Sequence, residues 1–307
     1  MGATHFSGPV FSGGIQLGAG VANLGAYPNP VGAKTIYYVD GNAGSNSNSG
    51  KGGWSDAFST LTYALAQSNA DIASGSLGWA ARNIIYVRGD YLEEDLVLLA
   101  HKTDVIGVGS YDWRTQPGLV GNHVPTGATA SYGTRFFNMD FRGAAAGGVI
   151  WTLDSYCANV GFYGCRFDAQ SATDATTGIL ATAAPYMTVV GCNFAGPFST
   201  AAISIGAGTA DQLRIVGNDI QSGAVGILIN SSATCSSWIG KISGNRIYAA
   251  TLTIDDNSDK FVVENNVLIS LDTTEAAAVD INKAIAANNF LRSTDLASVY
   301  PELDFTE

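Results

Sequence analysis

Charged side chains are scarce in this sequence. Asp, Glu, Lys and Arg make up 13% of the chain, against 46% for hydrophobic residues, whereas a typical globular protein has about 25% charged residues. This composition excludes disorder as the main state, because the chain has enough apolar surface to bury. The charges that remain are mostly acidic, with 26 acids, 15 bases and a net charge of −11. We therefore expect no nucleic acid and no anionic membrane surface as a partner.

Long apolar runs and a secretory leader are also missing. No stretch approaches the ~20 apolar residues of a membrane-spanning helix, and the start, Met1–Phe6, has neither a basic nor an apolar signal segment. The sequence thus predicts synthesis in a cytoplasm and no membrane partner. Its four cysteines are too few for a disulfide scaffold in 307 residues.

Patterns for metal and nucleotide binding are absent as well. The three histidines, His5, His101 and His123, are too scattered for a metal site or a catalytic triad. Gly18-Ala19-Gly20 lacks the third glycine of a dinucleotide fingerprint and follows no strand. We predict no cofactor and no metal.

One six-residue phrase recurs through the second half of the chain: an apolar residue, two spacers, Cys or Asn, one further residue, and another apolar residue. Phe162–Phe167 and Val189–Phe194 are its first two copies. The anchors lie at intervals of 27, 26, 27, 21 and 22 residues and are Cys165, Cys192, Asn218, Asn245, Asn266 and Asn288. A motif repeated at this spacing predicts a stacked repeat architecture.

A second short strand lies between successive anchors, for example Ile203–Ile205 and Gly226–Ile229. These segments alternate apolar and polar residues or run briefly apolar, which is strand periodicity and not helix periodicity. The pattern predicts a coil of about three short strands per turn, stacked in parallel at ~4.8 Å. An Asn at the same corner of each coil can hydrogen-bond to its neighbours above and below.

The anchors have alternative interpretations. The favoured one is an inward structural ladder, and the other is a row of asparagines that binds a ligand. Cys165 and Cys192 fall at the same position of adjacent coils. They are expected to be buried free thiols, although their spacing also permits a disulfide.

The segments before the repeat complete the pattern. They are Tyr37–Asn42, a Gly/Ser/Asn stretch through Gly53, Phe58–Leu65 and Ile84–Tyr91. Together with the repeat they resemble pectate-lyase-like right-handed parallel β-helix proteins, including phage tailspikes. The resemblance implies an all-β solenoid with a first strand, a loop and an N-terminal capping helix. Such a scaffold hosts lyases, hydrolases and non-enzymatic virion parts alike.

We divide the chain accordingly into an extended arm (1–34), a first strand, loop and capping helix (35–82), a parallel β-helix (83–295) and an acidic tail (296–307). The arm has no charged residue before Lys34. Its apolar side chains include Phe6, Val10, Phe11, Ile15, Leu17 and Tyr27. Such an arm is expected to lie along a surface, either its own coil, a sister subunit or a larger assembly. Residues Thr4–Val10 also resemble the start of some phage proteins.

Acidic residues are the only candidates for catalysis. In the β-helix family that this sequence resembles, lyases use clustered Asp ligands for Ca²⁺ with a nearby base, and hydrolases use paired carboxylates. If the chain is an enzyme, its acids would be Asp255, Asp256 and Asp280; otherwise these are solvated surface charges. We favour a non-enzymatic phage virion protein, a capsid decoration or tail component, bound to capsid or another virion protein through its arm as a homotrimer. The alternative is a polysaccharide lyase or glycoside hydrolase that acts on a surface glycan.

Overall fold

Parallel strands wound into a right-handed β-helix make up the protein. The computed structural model describes residues 33–74, 82–109, 116–126, 131–144, 147–170, 175–235, 240–258, 260–270, 279–281 and 285–293. Residues 1–32 of the predicted arm, with Phe6, Val10, Phe11, Ile15, Leu17 and Tyr27, and the predicted acidic tail lie outside these residues, whereas residues 33 and 34 belong to the first strand. The predicted fold class is confirmed.

Three parallel sheets form the faces of the coil. Sheet A has ten strands: Ala33–Asp40 (β1), Arg82–Arg88 (β2), Thr103–Gly107 (β4), Arg135–Phe137 (β7), Gly161–Tyr163 (β11), Thr188–Val190 (β14), Arg214–Val216 (β18), Gly240–Ser243 (β22), Phe261–Glu264 (β25) and Ile285–Ala287 (β28). Sheet B has nine: Tyr91–Glu93 (β3), Gly118–Val120 (β5), Asp140–Arg142 (β8), Arg166–Asp168 (β12), Asn193–Ala195 (β15), Asp219–Ser222 (β19), Arg246–Ala249 (β23), Val267–Ser270 (β26) and Phe290–Ser293 (β29). Sheet C has six: Gly148–Leu153 (β9), Ala175–Ala181 (β13), Ala201–Ile205 (β16), Val225–Ile229 (β20), Ile254–Asp256 (β24) and Val279–Ile281 (β27).

Two short pairs of strands lie on the corners between sheets C and A. They are Ser131–Tyr132 (β6) with Cys157–Ala158 (β10), and Gly208–Thr209 (β17) with Ala233–Thr234 (β21). Six successive coils of the described chain contribute one strand to each of the three large sheets. Every strand in these sheets pairs with the strand one coil away, so residues at equal positions form columns along the axis.

One α-helix, Leu61–Ser74 (α1), is present among the described residues. It packs its buried residues Leu61 and Leu65 against β1, β2 and β4. Phe58 precedes the helix and forms a β-bridge with Val39 of β1. None of the described residues forms a helix long and apolar enough to cross a membrane.

The core changes character along the axis. Its N-terminal coils stack aromatic rings, with Phe136 on Phe162 (centroids 5.5 Å apart) and Phe167 on Phe194 (4.4 Å). In the column of Phe167 and Phe194 the following coils place Ile220 and then other aliphatic residues. Each coil thus buries its apolar side chains on the coil before it.

The ladder side chains occupy the corner between sheets A and B. Oδ1 of Asn245 accepts hydrogen bonds from the backbone N (3.0 Å) and Nδ2 (2.9 Å) of Asn218, and Oδ1 of Asn266 accepts the same two from Asn245. Each amide also donates to a backbone carbonyl of the coil before it, as Asn218 does to Val189 O (3.0 Å). All three asparagines are buried, so the structure places them inward and not on a ligand-facing row.

The thiols extend this column. Cys165 and Cys192 are buried and free. The thiol of Cys192 donates to Phe162 O (3.4 Å) and that of Cys165 to Phe136 O (3.5 Å), the same carbonyl position that the asparagine amides use. The backbone N of Cys192 in turn donates to Asn218 Oδ1 at 2.8 Å.

The last ladder residue is Asn289, and the prediction of Asn288 is wrong. Asn289 Oδ1 accepts from the N (3.1 Å) and Nδ2 (2.9 Å) of Asn266, whereas Asn288 is exposed with φ 53°. That left-handed corner position is filled by glycine in four earlier coils, from Gly164 to Gly244. Asparagine tolerates this backbone almost as glycine does, so two consecutive asparagines concealed the register.

Candidate functional site

The three acids predicted as an alternative catalytic set do not share one surface. Asp255 and Asp280 are register partners on β24 and β27 of sheet C. Asp256 is fully buried, and its Oδ1 accepts hydrogen bonds from the N (2.9 Å) and hydroxyl (2.8 Å) of Ser258. Grouping Asp256 with the other two was wrong, because successive strand residues point to opposite faces.

Little around Asp255 supports chemistry. Its Oδ1 accepts a 2.6 Å hydrogen bond from Asn257, and its register partner on the preceding strand is the apolar Leu228. Within the described ranges, no three His, Cys, Asp or Glu residues are placed to hold a metal ion.

A denser set of charges lies on the outer face of sheet B. Asp140 and Arg142 on β8 are register partners of Arg166 and Asp168 on β12, while the residue between them, Phe141, points into the core. Together with Tyr91 on β3, these four charged residues form what we call the acid–arginine cluster.

Asp140 is the centre of this cluster and has no exposed surface. Its Oδ2 accepts hydrogen bonds from the Tyr91 hydroxyl (3.0 Å), Arg142 Nη2 (3.0 Å) and Arg166 Nη1 (3.5 Å), and Arg166 Nη2 also pairs with Asp168 at 2.9 Å. Burial raises the pKa of Asp140 to about 7; the charge of Arg166 opposes this shift, and that of Asp168 adds to it. The charged groups of the cluster largely satisfy one another, so it is closed to ligands in this state.

The sequence contained a signal for this cluster. Phe136–Phe141 fits the repeated phrase except that Met139 stands where Cys or Asn is required, with Asn138 at the left-handed corner (φ 52°). The column that contains Arg166 therefore includes Asp140, one coil before the first anchor.

A hollow of about 250 Å³ lies at the edge of sheet A that is farther from sheet B. This edge is the corner through which each coil enters sheet A. We call this hollow the corner pocket. Three cations and three tyrosines line it: Arg82, Lys102, Arg135, Tyr132, Tyr163 and Tyr186. Its remaining lining, Gly133, Asn159 and Thr188, is small or polar, and no lining residue is acidic.

Local geometry creates the space. In the column of Arg135, the next two coils place Gly161 and then Thr188. These two residues are much smaller than Arg135, so the surface is hollow beside its side chain. A Cβ on Gly161 would lie 2.5 Å from the Tyr163 ring, so glycine allows this ring to lie across the strand. The ring also stacks on Phe137, with centroids 4.9 Å apart.

The corner itself requires left-handed backbone. Lys102, Gly133, Asn159 and Tyr186 occupy equivalent corners, with φ of 40°, 80°, 59° and 63°. Glycine and asparagine adopt this conformation readily, but a bulky residue does so only under strain. Tyr186 nevertheless adopts it, and this residue lines the pocket with 39% of its surface exposed.

One buried carboxylate fixes the two arginines. Asp104, with 1% of its side chain exposed, accepts Arg135 Nε (2.8 Å) and Nη2 (2.7 Å) as a two-point pair and Arg82 Nη1 at 2.6 Å. Burial, with repulsion from Arg135, lowers the pKa of Arg82, yet arginine remains protonated at neutral pH. Lys102 adds a third cation to the lining, which contains no acidic residue, so the lining is positive in a chain of net charge −11.

His101 supports the pocket from behind. Its Nδ1 accepts the backbone N–H of Tyr132 at 3.2 Å, and its ring stacks on the Tyr132 ring with centroids 6.0 Å apart. Burial lowers the pKa of His101, so this histidine is neutral at neutral pH. The contacts with His101 thus hold Tyr132 in place. Tyr132 remains 41% exposed and lines the pocket.

Comparison with known proteins assigns no family to this chain. No family model matches the sequence, and no curated protein matches it. A solved rhamnogalacturonan lyase is similar over 89% of this chain and 90% of its own, with 8% identity and a TM-score of 0.43. A pectin methylesterase from Aspergillus niger is similar over 91% and 94%, with 14% identity and a TM-score of 0.38.

Proposed function

We propose that this β-helix binds an acidic polysaccharide through the corner pocket. The observation that carries the proposal is the convergence of three cations and three tyrosines on one hollow with no acid in its lining. Of the functions considered from the sequence, it supports the polysaccharide alternative at its coarser level, recognition of a glycan. Cleavage of that glycan is not part of the proposal.

The cations favour a carboxylate or sulfate. A guanidinium matches a planar carboxylate with two parallel hydrogen bonds. Arg82 and Arg135 are already oriented by Asp104 and keep 31% and 23% of their side chains exposed. Because they are fixed before binding, little conformational entropy is lost when an anionic sugar arrives.

The tyrosines favour a sugar over a small inorganic anion. Exposed rings present flat apolar surface that covers the C–H face of a sugar, and their hydroxyl groups remain available to its oxygens. Tyr163, Tyr186 and Asn159 make no side-chain hydrogen bond within the described part of the chain. A free phosphate would use the cations and leave these groups without a partner.

The virion role and the trimer remain predictions. The virion role was inferred from the uncharged arm and a coil poor in candidate sites, and residues 1–32 of that arm lie outside the described residues. Glycan recognition is compatible with a protein attached to a virion and with a free protein, because the corner pocket is built entirely from residues of the coil and not from the arm.

The test is a calorimetric titration with tetragalacturonate and with its fully methyl-esterified form, which lacks the charges. We expect binding of the acid, about tenfold or more weaker binding of the ester, and weakening by added salt. Tyr186→Asn should lower affinity for the acid, while Gln212→Asn, at an equivalent corner (φ 54°) outside the pocket lining, should not. Equal binding of acid and ester, or equal affinity of both variants, would refute the proposal.

A further inference from the structure

A second hollow, of about 310 Å³, lies on the outer face of sheet B, next to the acid–arginine cluster on its C-terminal side. We call it the sheet B hollow. Its lining follows two columns, Asn193, Asp219 and Arg246 in one and Ala195, Gln221 and Tyr248 in the other. The hollow exists because Asn193 and Ala195 are short, whereas the preceding coil places Arg166 and Asp168 at the same positions.

The polar groups here are not used by the protein. Asn193, Gln221 and Tyr248 make no side-chain hydrogen bond within the described ranges. Asp219 and Arg246 approach only to 3.9 Å, with 53% and 68% of their side chains exposed. An exposed pair of this kind contributes little stability, so a ligand can replace it at low cost. This distinguishes the hollow from the acid–arginine cluster, whose charges pair with one another.

We propose that the sheet B hollow binds one uncharged sugar ring of a glycan. Its one acid and one base cancel, so the hollow offers no net charge to an anion, in contrast to the corner pocket. Sugar hydroxyl groups both donate and accept hydrogen bonds. They are matched by the acceptor Asp219, the donor Arg246 and the two amides, which do both.

Tyr248 supplies the apolar wall. Its ring stands one coil beyond Gln221 in the same column, where it can cover the C–H face of a sugar whose hydroxyl groups meet Asn193 and Asp219. Three adjacent coils span ~10 Å between the first and the last, so the hollow has room for a single ring and its linkage. The proposal is independent of the corner pocket, since the two sites share no residue.

The experiment uses the full chain and neutral hexasaccharides of glucose, galactose and mannose, followed by saturation-transfer NMR and calorimetry. We expect at least one to bind, with a Tyr248→Ala variant about tenfold weaker, the effect of one aromatic contact. Ala195→Gln should fill the hollow and abolish binding. Ala195→Ser, which keeps the space, is its matched control and should bind normally. Melting curves confirm that each variant is folded, and Tyr248→Ala decides the result if Ala195→Gln does not fold.

Three results would overturn the proposal. The first is that none of the three neutral hexasaccharides binds. The second is that one binds with equal affinity to the parent and to Tyr248→Ala or a folded Ala195→Gln variant. The third is displacement of the bound neutral sugar by tetragalacturonate in the parent but not in Tyr186→Asn, which would locate it in the corner pocket. Failure of the acidic titration alone would leave the present proposal intact and refute only the proposed function.

Discussion

The hydroxyl group of Tyr91 reaches past an intervening strand and donates a 3.0 Å hydrogen bond to Oδ2 of Asp140, two coils further along sheet B. Gly118 makes this contact possible, because a Cβ there would lie 2.0 Å from the Tyr91 ring. The guanidinium of Arg142 covers the same ring at 3.9 Å from its centroid. Two side chains on separate coils thus enclose a carboxyl group that ordinarily would be solvated.

The enclosure predicts a pH-dependent stability. The pKa of Asp140 is about 7 in the folded protein and ~3.9 when unfolded, so the folded state binds the proton more tightly. The resulting stabilisation is complete below about pH 4, declines as the pH rises, and is lost above about pH 7. Relative to Asp140→Asn, which cannot titrate, the parent should lose up to about 4 kcal/mol over this range.

Urea unfolding at pH 4, 5.5 and 7.5 measures this difference. Asp219→Asn, in the same column but half exposed, is the control and should follow the parent at every pH. Parallel pH profiles for the parent and Asp140→Asn would show that folding does not raise the pKa of this carboxyl group.

The asparagine ladder predicts that replacing one of its members lowers the stability of the protein. Asn245→Leu removes the acceptor of two donors on Asn218 and leaves them buried, which should cost about 1–3 kcal/mol of unfolding free energy. Chemical denaturation of the parent and variant measures this. A variant that unfolds at the parent's midpoint would show that the column contributes nothing.

The end of the ladder tests its corrected register. Asn288→Gly should be tolerated, because glycine occupies that corner in four earlier coils. Asn289→Ala should lower stability, since Asn266 loses an acceptor for its backbone N and its amide. The reverse order in thermal melting would restore the register that places Asn288 in the column.

Relief of strain at Tyr186 should stabilise the protein. Replacing this left-handed tyrosine (φ 63°) with asparagine should raise the unfolding free energy by about 1 kcal/mol. Tyr186→Phe keeps the strain and should bring no gain. Together with weaker glycan binding by Tyr186→Asn, a rise in melting temperature would indicate that the strain is retained for function. A lowered melting temperature in Tyr186→Asn would show instead that the ring itself holds the corner together.

Removal of the arm tests the predicted virion attachment. The deletion should end at residue 32, because β1 begins at Ala33 and pairs with β2. Each coil packs on its neighbours, so loss of a terminal extension should leave the melting temperature unchanged. Self-association or capsid binding should disappear, with little dependence on salt, because residues 1–33 carry no charged side chain. Unchanged assembly with a lower melting temperature would mean that the arm packs on its own coil.

The fold was predictable because its signal is repeated. Apolar positions such as Phe167, Phe194 and Ile220 recur at 26- to 27-residue intervals and define strands, corners and register together. The register failed at Asn288 because Ile285 was taken as the first apolar residue of the phrase, although the structure pairs Ala286, and not Ile285, with Val263.

The candidate sites were not predictable in the same way. The corner residues Lys102, Gly133, Asn159 and Tyr186 follow one another at intervals of 31, 26 and 27 residues. Their side chains differ at every coil, because the corner constrains the backbone conformation and not the side chain. Asp140 was missed because Met139 interrupts the Cys/Asn column one coil before Cys165. Both proposed sites lie at positions where the repeat varies, and a search for the repeat excludes such positions.

The shift of the core from aromatic to aliphatic side chains has a spectroscopic consequence. Among the described residues, the large buried rings lie between Tyr37 and Phe198, and Phe261 alone follows them. Near-ultraviolet circular dichroism and the fluorescence of the buried Trp151 therefore report on the N-terminal coils. Among the described residues, Phe261 is the one large buried ring that would respond to fraying from the C-terminal end, whereas amide hydrogen exchange along β22–β26 would record such fraying directly. An apparently single transition seen by optical probes would then describe half of the solenoid.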